Sequence, residues 1–331
     1  MALRFVPYHH LGDTPNVVVD GSPTSSTRLT LSHWPGSPTP AELLDDLSAQ
    51  IAFRALDTPG CLDGIEAVSN NHFDQDGLAS VHALVSPDEA LARRARVIDV
   101  ASAGDFATFT DRDSMRIAMA IAAHDDPHRS PLGPEPFRGG YEDQCAALYE
   151  AMLPRFTDLL DHPDRFRDLW ADEDAHLTES LDAIDRGEVR LEEEPELDLA
   201  VCVVPDDWAA RTATRFTMNA SAALHPAAVP NRTTCMRVLT SHGGHHRLEC
   251  RYETWVMFRS HLVMPRPDLR PLAALLGQED PDAGWAADAP GGLTPALWSA
   301  APSALPLDRV LTVARAFLHA APPAWDPFAP S

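Results

Sequence analysis

The sequence predicts an α/β protein in which a mainly parallel sheet is flanked by helices and is followed by a second, smaller α/β or α+β domain. Within residues 1–125, short apolar runs of strand length alternate with amphipathic runs of helical length, which is typical of parallel strands joined by helices. From residue 197 the pattern changes to a buried strand and a hairpin. We therefore expect domains at 1–125 and 197–331, joined by a linker and helical segment at 126–196.

Three apolar runs near the N-terminus predict neighbouring strands. They are NVVVD at Asn16–Asp20, RLTLSH at Arg28–His33 and the run Ile65–Val68. A Thr-Pro pair at residues 39–40 fits the N-cap and first position of a helix, where proline is well accepted. Leucine and isoleucine then recur on one helical face, so we expect a helix over Pro40–Leu56.

The following residues predict mainly helices. A second capped helix is expected over residues 86–104, although Val97–Val100 within it would also suit a short strand. Met115–Ala123 predicts a third helix. Asp125–Gly140 contains four prolines and three glycines and predicts a linker or long loop. Tyr141–Arg186 is acidic and helical in pattern.

The C-terminal part predicts a different arrangement of strands. Glu192–Glu196 has the composition of a solvated acidic connector, and Leu197–Val204 is the clearest buried strand of the chain. Residues 235–258 predict a hairpin around the turn Ser241–His246. The tail from Pro265 is rich in proline and alanine, with helices expected near residues 269–276 and 307–319.

The charge composition excludes several kinds of function. The net charge is −23, and all 26 basic residues are arginine, because the chain contains no lysine. Schiff-base chemistry on lysine and a phosphate-binding P-loop are therefore excluded. We expect no polymeric nucleic-acid partner, since such partners require a basic surface. A small phosphorylated substrate held by metal and a few arginines is compatible with this composition.

The sequence also predicts a cytoplasmic protein without a membrane partner. No apolar run approaches the ~20 residues of a membrane-spanning helix, and Met1–His10 lacks the features of a signal peptide. The five cysteines are scattered and form no Cys-x-x-Cys pair. This usage is typical of reduced thiols.

The segment after the third predicted strand carries the most informative side chains. His72, Asp74 and Asp76 alternate along it, and an extended chain points alternating side chains in the same direction. Carboxylates together with an imidazole suit Mn²⁺, our first expectation, or Mg²⁺. The alternative is an acidic surface turn, because Asp76 is followed by Gly77 and Asp-Gly is a common turn dipeptide.

Other residues are expected to complete this metal site. His33 and Asp20 each end a predicted strand, and parallel strands end at the same edge of a sheet. Both are therefore candidate ligands, with His33 also a candidate acid or base; otherwise they would cap turns.

The pattern His-x-Asp-x-Asp-Gly-x-x-Ser at residues 72–80 resembles the first motif of the DHH phosphoesterase superfamily, which includes single-strand exonucleases and nano-RNases. Members of that superfamily bind two Mn²⁺ ions and hydrolyse phosphodiesters or phosphoanhydrides. The resemblance implies that His72, Asp74 and Asp76 ligate metal, together with a further aspartate that follows the next strand. Asp99 and Asp105 are both candidates for that aspartate, and we favour Asp105 because Gly104 ends the preceding element and frees its carboxylate; the alternative is an ordinary aspartate at a helix end. The resemblance also implies a close backbone approach at Gly77. The Asp-His-His triplet of the superfamily does not occur here, and over its whole length the chain resembles a bacterial family without a known activity.

Candidates for substrate binding lie in both parts of the chain. The SHGGHH turn of the predicted hairpin resembles a Gly-Gly-His segment that binds substrate in the accessory domain of DHH proteins, with a flexible glycine-rich turn as the alternative. This resemblance implies substrate contacts by His242 and His245. Arg251 on the same hairpin is a candidate for contact with phosphate. Asn71 and Ser80, in the first motif, are further candidates.

These observations lead to three hypotheses for function. The first is a metal-dependent hydrolase of a phosphodiester or phosphoanhydride bond in a small molecule, with His33 and Asp76 in catalytic roles and the metal held by His72, Asp74, Asp76, Asp105 and Asp20. The second keeps the metal but changes the bond to an amide or ester. The third is a non-catalytic binding protein on a degenerate phosphoesterase fold.

Overall fold

A computed structural model of the protein describes residues 2–209, 223–261 and 263–330. This part of the chain divides into two compact units. The first unit contains residues 2–175 and 257–260, and the second contains 176–209, 223–256, 261 and 263–330. The division falls at residue 175, later than the predicted boundary at 125, because the helix after the proline-rich loop packs against helices of the first unit.

The first unit contains the parallel sheet predicted from the sequence. Its strands are β1 (Arg4–Phe5), β2 (Asn16–Val19), β3 (Thr27–Leu31) and β4 (Ala67–Ser69). They lie in the order β1-β4-β2-β3, and each neighbouring pair is parallel. The side chains of β2 and β4 are buried, as is usual in parallel sheets that helices cover.

Helices follow the strands as the sequence predicts. They are α1 (Ser48–Asp57), α2 (Gln75–Val85), α3 (Pro87–Ala92), α4 (Arg94–Asp105), α5 (Arg112–His124), α6 (Tyr141–Asp161) and α7 (Arg167–Asp185). Helix α2 begins at Gln75, within the segment that carries His72, Asp74 and Asp76. Val97–Val100 lie within α4, so the alternative of a short strand there is wrong.

The predicted start of the first helix is wrong. Helix α1 begins at Ser48 rather than Pro40, and the hydroxyl of Thr39 instead donates to the Ser32 carbonyl at 2.8 Å and accepts from the Ser32 amide at 2.9 Å. The first amides of α1 donate to the carboxylate of Asp76. A distant side chain therefore accepts from the first amides of this helix, while Gln50 Oε1 accepts locally from the Leu47 amide.

The second unit contains a six-stranded mixed sheet. Its strands are β5 (Arg190–Glu194), β6 (Leu199–Val203), β7 (Arg237–His242), β8 (His245–Cys250), β10 (Trp285–Ala287) and β11 (Ala296–Ser299). They lie in the order β10-β11-β8-β7-β6-β5, and β6 and β7 are the parallel pair of this sheet. Two further strands, β9 (Arg266–Pro267) and β12 (Pro323–Trp325), form a separate antiparallel pair.

One predicted connector of this unit is a strand, and the predicted hairpin is confirmed. Most of Glu192–Glu196 belongs to β5, which pairs with β6 at the edge of the sheet, where charged side chains can remain in water. Strands β7 and β8 form the hairpin, with His242 paired to His245. Between them Gly243 and Gly244 have φ values of +56° and +77°, which suits a tight hairpin turn that requires two positive φ angles.

Two helices cover one face of the second unit's sheet. They are α8 (Arg270–Glu279) and α9 (Leu307–Ala320). Their apolar side chains form one buried cluster with those of β6, β7 and β8; its members include Leu199, Val201, Leu239, Leu248, Leu272, Leu276, Val310 and Ala314. In the ranges described, none of the helices combines the length and apolar character needed to cross a membrane.

A buried arginine ties the loops of the second unit together. Arg266 is 1 % exposed, and burial lowers the pKa of its guanidinium to about 10, which leaves it charged at neutral pH. It donates to the Thr254 hydroxyl and to the carbonyls of Arg251, Pro290, Gly292 and Leu293. The one side chain therefore satisfies acceptors from two separate segments.

Replacement of Arg266 by methionine is expected to destabilise the protein by at least about 3 kcal/mol, because several buried acceptors lose a charged donor. Urea unfolding measures the change. The matched control is Arg270→Met, which removes an exposed arginine paired with Asp268 and should change stability by less than about 0.5 kcal/mol. Equal effects of the two substitutions would contradict the role given to Arg266.

Candidate metal centre

The predicted metal ligands meet at the carboxyl edge of the parallel sheet. Asp20 follows β2, His33 follows β3 after one intervening residue, and His72 and Asp74 follow β4. Asp76 lies in the first turn of α2. The other contributor is Asp105, the last residue of α4, which therefore comes from a helix end rather than from the end of a further strand.

The inner part of this cluster is formed around His33. Its Nε2 atom lies 3.5 Å from Asp20 Oδ1, 3.4 Å from Asp105 Oδ2 and 4.0 Å from Asp76 Oδ2. His33 and Asp76 are fully buried. Ligand atoms of Asp20, His33 and Asp76 all lie within 4.8 Å of one another, which is close enough to surround one cation.

The outer part is formed around His72. Its Nε2 atom lies 2.8 Å from Asp74 Oδ2 and 3.2 Å from Asp20 Oδ2. Ligand atoms of these three residues again lie within 4.8 Å of one another. The side chains of His72 and Asp74 are 17 % and 22 % exposed, so the cluster reaches solvent on this side.

Asp20 belongs to both groups. Its Oδ1 atom faces His33 and its Oδ2 atom faces His72, while the Ser48 hydroxyl donates to Oδ1 at 2.8 Å. The backbone of Asp20 has φ +47°, a left-handed conformation that costs energy for residues other than glycine, although aspartate tolerates it better than most. Strained residues of this kind are frequent at functional sites.

The N-terminus of α1 holds Asp76 in place. The Ser48 amide donates to Oδ2 at 2.8 Å and the Ala49 amide donates to Oδ1 at 2.7 Å. The Ser80 hydroxyl donates to Oδ1 at 3.4 Å. Oδ2 accepts one of these bonds and keeps a second lone pair, so the bonds orient the group and leave this oxygen able to accept a cation. Ser80 is buried, which makes it a support for Asp76.

The hydrogen bond of His33 Nδ1 fixes which nitrogen faces the carboxylates. Nδ1 lies 2.5 Å from the Asp46 carbonyl, and a carbonyl can only accept, so Nδ1 carries the proton. Burial lowers the pKa of His33, although Asp20 acts in the opposite direction. The neutral ring therefore directs the Nε2 lone pair toward Asp20, Asp76 and Asp105, as a metal-binding histidine does.

Asn71 orients the ring of His72, as the Asp46 carbonyl orients the ring of His33. Its Oδ1 atom lies 3.3 Å from His72 Nδ1 and accepts from that nitrogen, which turns Nε2 toward Asp20 and Asp74. A side chain at Gly21 would approach Asn71 Oδ1 to 2.3 Å, so Gly21 makes room for this amide. The structure thus places Asn71, predicted to bind substrate, in a position to orient a candidate ligand.

The charges of the cluster shift the pKa values of its members. Burial and the nearby carboxylates of Asp20 and Asp74 raise the pKa of Asp76 well above its usual range. Burial and the carboxylate of Asp76 do the same for Asp105. Burial opposes a charge on His72, but Asp74 and Asp20 outweigh it and raise the pKa of His72 well above 6.5. Protons therefore compensate part of the negative charge in the metal-free protein.

Gly77 is needed where the motif meets helix α6. A Cβ atom at Gly77 would lie 2.4 Å from Asn70 Nδ2 and 2.6 Å from the hydroxyl of Tyr149. The close approach implied by the motif resemblance is thus an approach of side chains to the first turn of α2. The Asp74 carboxylate also caps this helix, because Oδ1 accepts from the Gly77 amide at 2.8 Å.

Sequence reasoning missed the supporting residues. Asp46, Ser48 and Tyr149 contact or adjoin the cluster, but they lie far from the motif in the chain. Asp46 lies in the helix predicted over Pro40–Leu56, outside the leucine and isoleucine positions of its apolar face. An acidic side chain at such a position does not indicate a functional role. Tyr149 resembles an ordinary core aromatic, packing against Phe73 at 5.1 Å between ring centroids.

Several other candidates lie outside the cluster. The oxygens of Asp99 accept from the amides of Thr110 and Asp111, so Asp99 fixes the turn before α5. His242, His245 and Arg251 belong to the second unit. The two histidine rings donate to the carbonyls of Trp208 and Ser299. The Arg251 guanidinium is buried against the Glu253 carboxylate and the carbonyls of Thr233 and Cys235.

The donor set fits a divalent cation. Four carboxylates and two imidazole nitrogens converge, and hard oxygen ligands with imidazole suit Mn²⁺ or Mg²⁺. Burial raises the pKa values of Asp76 and Asp105, and repulsion from the neighbouring carboxylates raises them further. A cation among them would relieve this repulsion. Four negative charges would be balanced by two divalent ions.

The comparisons with known proteins give a family without a described activity. Neither the curated proteins nor the solved structures contain a match to the chain. The model of a family of unknown function, DUF6687, matches residues 1–329, a range that includes every residue of the cluster. The chain therefore belongs to the DUF6687 family.

Proposed function

We propose that this protein is a metal-dependent hydrolase that cleaves a phosphodiester or phosphoanhydride bond in a small molecule. The observation that carries the proposal is the sharing of Asp20 by two groups of ligand atoms, one around His33 and one around His72. Two cations held side by side would lower the pKa of a water molecule and stabilise the departing oxygen. The DHH-like motif at residues 72–80 favours phosphate as the substrate.

The two groups would have different tasks. Around the buried His33, the ligands Asp76 and Asp105 are shielded from water and would hold a cation firmly. Around His72 and Asp74 the cluster is open to solvent, so a substrate would approach from this side. His33 would then act as a ligand, since its Nε2 atom faces the carboxylates.

Trp34 is a further residue of the open side. Its ring packs against the His72 ring with centroids 5.2 Å apart, and it is partly exposed. It limits the freedom of His72 and would shield the reacting groups from bulk water. We also propose a cytoplasmic location, because all five cysteines are free thiols, as is usual in a reducing compartment.

Removal of one buried carboxylate tests the metal site. Asp76→Asn is expected to weaken Mn²⁺ binding at least about 10-fold, measured by isothermal titration calorimetry. Asp99→Asn is the matched control, because Asp99 is also a buried carboxylate that accepts two backbone amides. It should lose stability and keep its metal affinity. An unchanged affinity in Asp76→Asn would contradict the site.

Metal binding is expected to release protons and to strengthen as the pH rises. The raised pKa values of His72, Asp76 and Asp105 mean that the metal-free protein holds protons that a cation must displace. Each proton displaced should change the affinity about tenfold per pH unit. Titrations in buffers of different ionisation enthalpy count the protons. If one proton is displaced, the affinity should increase about 100-fold between pH 6 and pH 8. An affinity that does not change over this range would contradict the expectation.

The same pKa shifts set the direction of the stability change. A group whose pKa is raised by folding stabilises the protein at low pH, and this contribution is lost as the pH rises through the folded-state value. The Tm of the metal-free protein should therefore fall as the pH rises above 3.8, the ordinary pKa of Asp76 and Asp105. The lowered pKa of His33 acts in the opposite direction. Addition of Mn²⁺ at pH 8, which is about 1.5 units above the ordinary pKa of histidine, should restore the Tm. In Asp76→Asn the Tm of the metal-free protein should fall less as the pH rises.

Hydrolysis itself is tested with p-nitrophenyl phosphodiesters and dinucleotides in the presence of Mn²⁺. We expect turnover that EDTA abolishes and that Asp74→Asn lowers by about 100-fold. Asparagine caps helices as well as aspartate does, so this variant should keep helix α2 and the stability of the protein. Turnover of esters or amides alone would favour the second hypothesis. Metal binding without any turnover would favour a binding protein.

A further inference from the structure

Asp46 connects the buried half of the metal centre to a distant segment of the chain. Its backbone carbonyl accepts from His33 Nδ1 at 2.5 Å. Its Oδ1 atom accepts from the amides of Arg259 and Ser260, at 2.6 Å and 2.9 Å. Asp46 is buried. One residue therefore contacts a candidate ligand through its main chain and the segment 257–260 through its side chain.

The segment 257–260 contacts the same region in two further places. The Met257 amide donates to the carbonyl of His33 at 2.8 Å. The Phe258 ring packs edge-on against Phe106, with centroids 5.5 Å apart, and Phe106 follows the candidate ligand Asp105. These four residues belong to the first unit although their chain neighbours, Val256 and His261, belong to the second. The segment is thus fastened to the metal centre at three points.

The orientation of His33 depends on the carbonyl that Asp46 supplies. Carboxylates near Nε2 favour a proton on that nitrogen, which would block metal binding there. A carbonyl acceptor at Nδ1 favours the opposite tautomer and leaves the Nε2 lone pair available. The carbonyl can do this only while Asp46 is held in place, and the amides of Arg259 and Ser260 hold it.

We propose that Asp46 is a positioning residue, which, anchored by segment 257–260, keeps His33 in the tautomer that binds metal at Nε2. The inference rests on the proposed function, because it assigns His33 a cation to bind. It adds a role for residues that lie more than two hundred positions after His33 in the sequence.

Three variants of the full-length chain test the proposal. Asp46→Ala removes the carboxylate oxygen that accepts from the amides of Arg259 and Ser260. The variant should weaken Mn²⁺ binding by about 10- to 100-fold. Asp46→Asn keeps an oxygen in the place of Oδ1, which accepts both amides, and should restore affinity to within about threefold of the original protein. Asp111→Ala is the control: Asp111 caps α5, so its loss should lower the Tm and leave Mn²⁺ affinity unchanged.

A second measurement needs no metal. In ¹⁵N-labelled protein freed of metal, the ring nitrogen shifts of His33 should report a proton on Nδ1, and Asp46→Ala should move the population toward Nε2. If Asp46→Ala does not fold, Arg259→Pro removes one amide donor and leaves Asp46 present, and the same shift is expected.

The outcomes separate this inference from the proposed function. Wild-type Mn²⁺ affinity and an unchanged His33 tautomer in Asp46→Ala would overturn the inference while the metal centre stands. Loss of affinity in both Asp46→Ala and Asp46→Asn would also overturn it, since the asparagine oxygen should suffice. A wild-type protein that binds no Mn²⁺ would overturn the proposed function, and with it the purpose assigned to Asp46.

Discussion

The repulsion among buried carboxylates is the constraint on which the first unit depends. Asp20, Asp76 and Asp105 lie within 4.0 Å of one imidazole nitrogen, where water cannot screen their charges. The fold holds them through backbone donors and hydroxyls. Asp76 accepts the first amides of α1, and Asp20 accepts the Ser48 hydroxyl. Amides at a helix N-terminus favour a negative charge, so α1 stabilises the cluster that defines its own start.

This mutual dependence explains where sequence reasoning succeeded and where it failed. His72, Asp74 and Asp76 were predictable because their spacing is local, and Asp20 and His33 because parallel strands end at one edge of a sheet. The start of α1 was not predictable, since its capping group, Asp76, comes from another element. Local capping patterns cannot reveal an acceptor that tertiary structure supplies.

The remaining differences have the same origin. Asp105 was selected for the end of an element, and the element is a helix rather than a strand. The hairpin around the Gly-Gly turn was predictable, because a tight hairpin turn requires two positive φ angles and adjacent glycines meet this requirement locally. The sequence could not predict the surroundings of Arg251. An arginine that binds phosphate and an arginine that is buried against a carboxylate, as Arg251 is against Glu253, have the same sequence signal. Sequence patterns thus locate the members of the cluster better than the residues that orient them.

The two halves of the centre compensate their charge differently when no metal is bound. In the outer half the raised pKa of His72 places a cationic ring between Asp20 and Asp74. In the inner half burial lowers the pKa of His33 and disfavours a cationic ring, whereas the raised pKa values of Asp76 and Asp105 favour protons on these carboxyl groups. A metal ion bound as proposed would therefore displace a proton from an imidazole in one half and from carboxyl groups in the other. The halves should consequently differ in how pH controls their occupancy, with the solvent-exposed half exchanging its ion more readily.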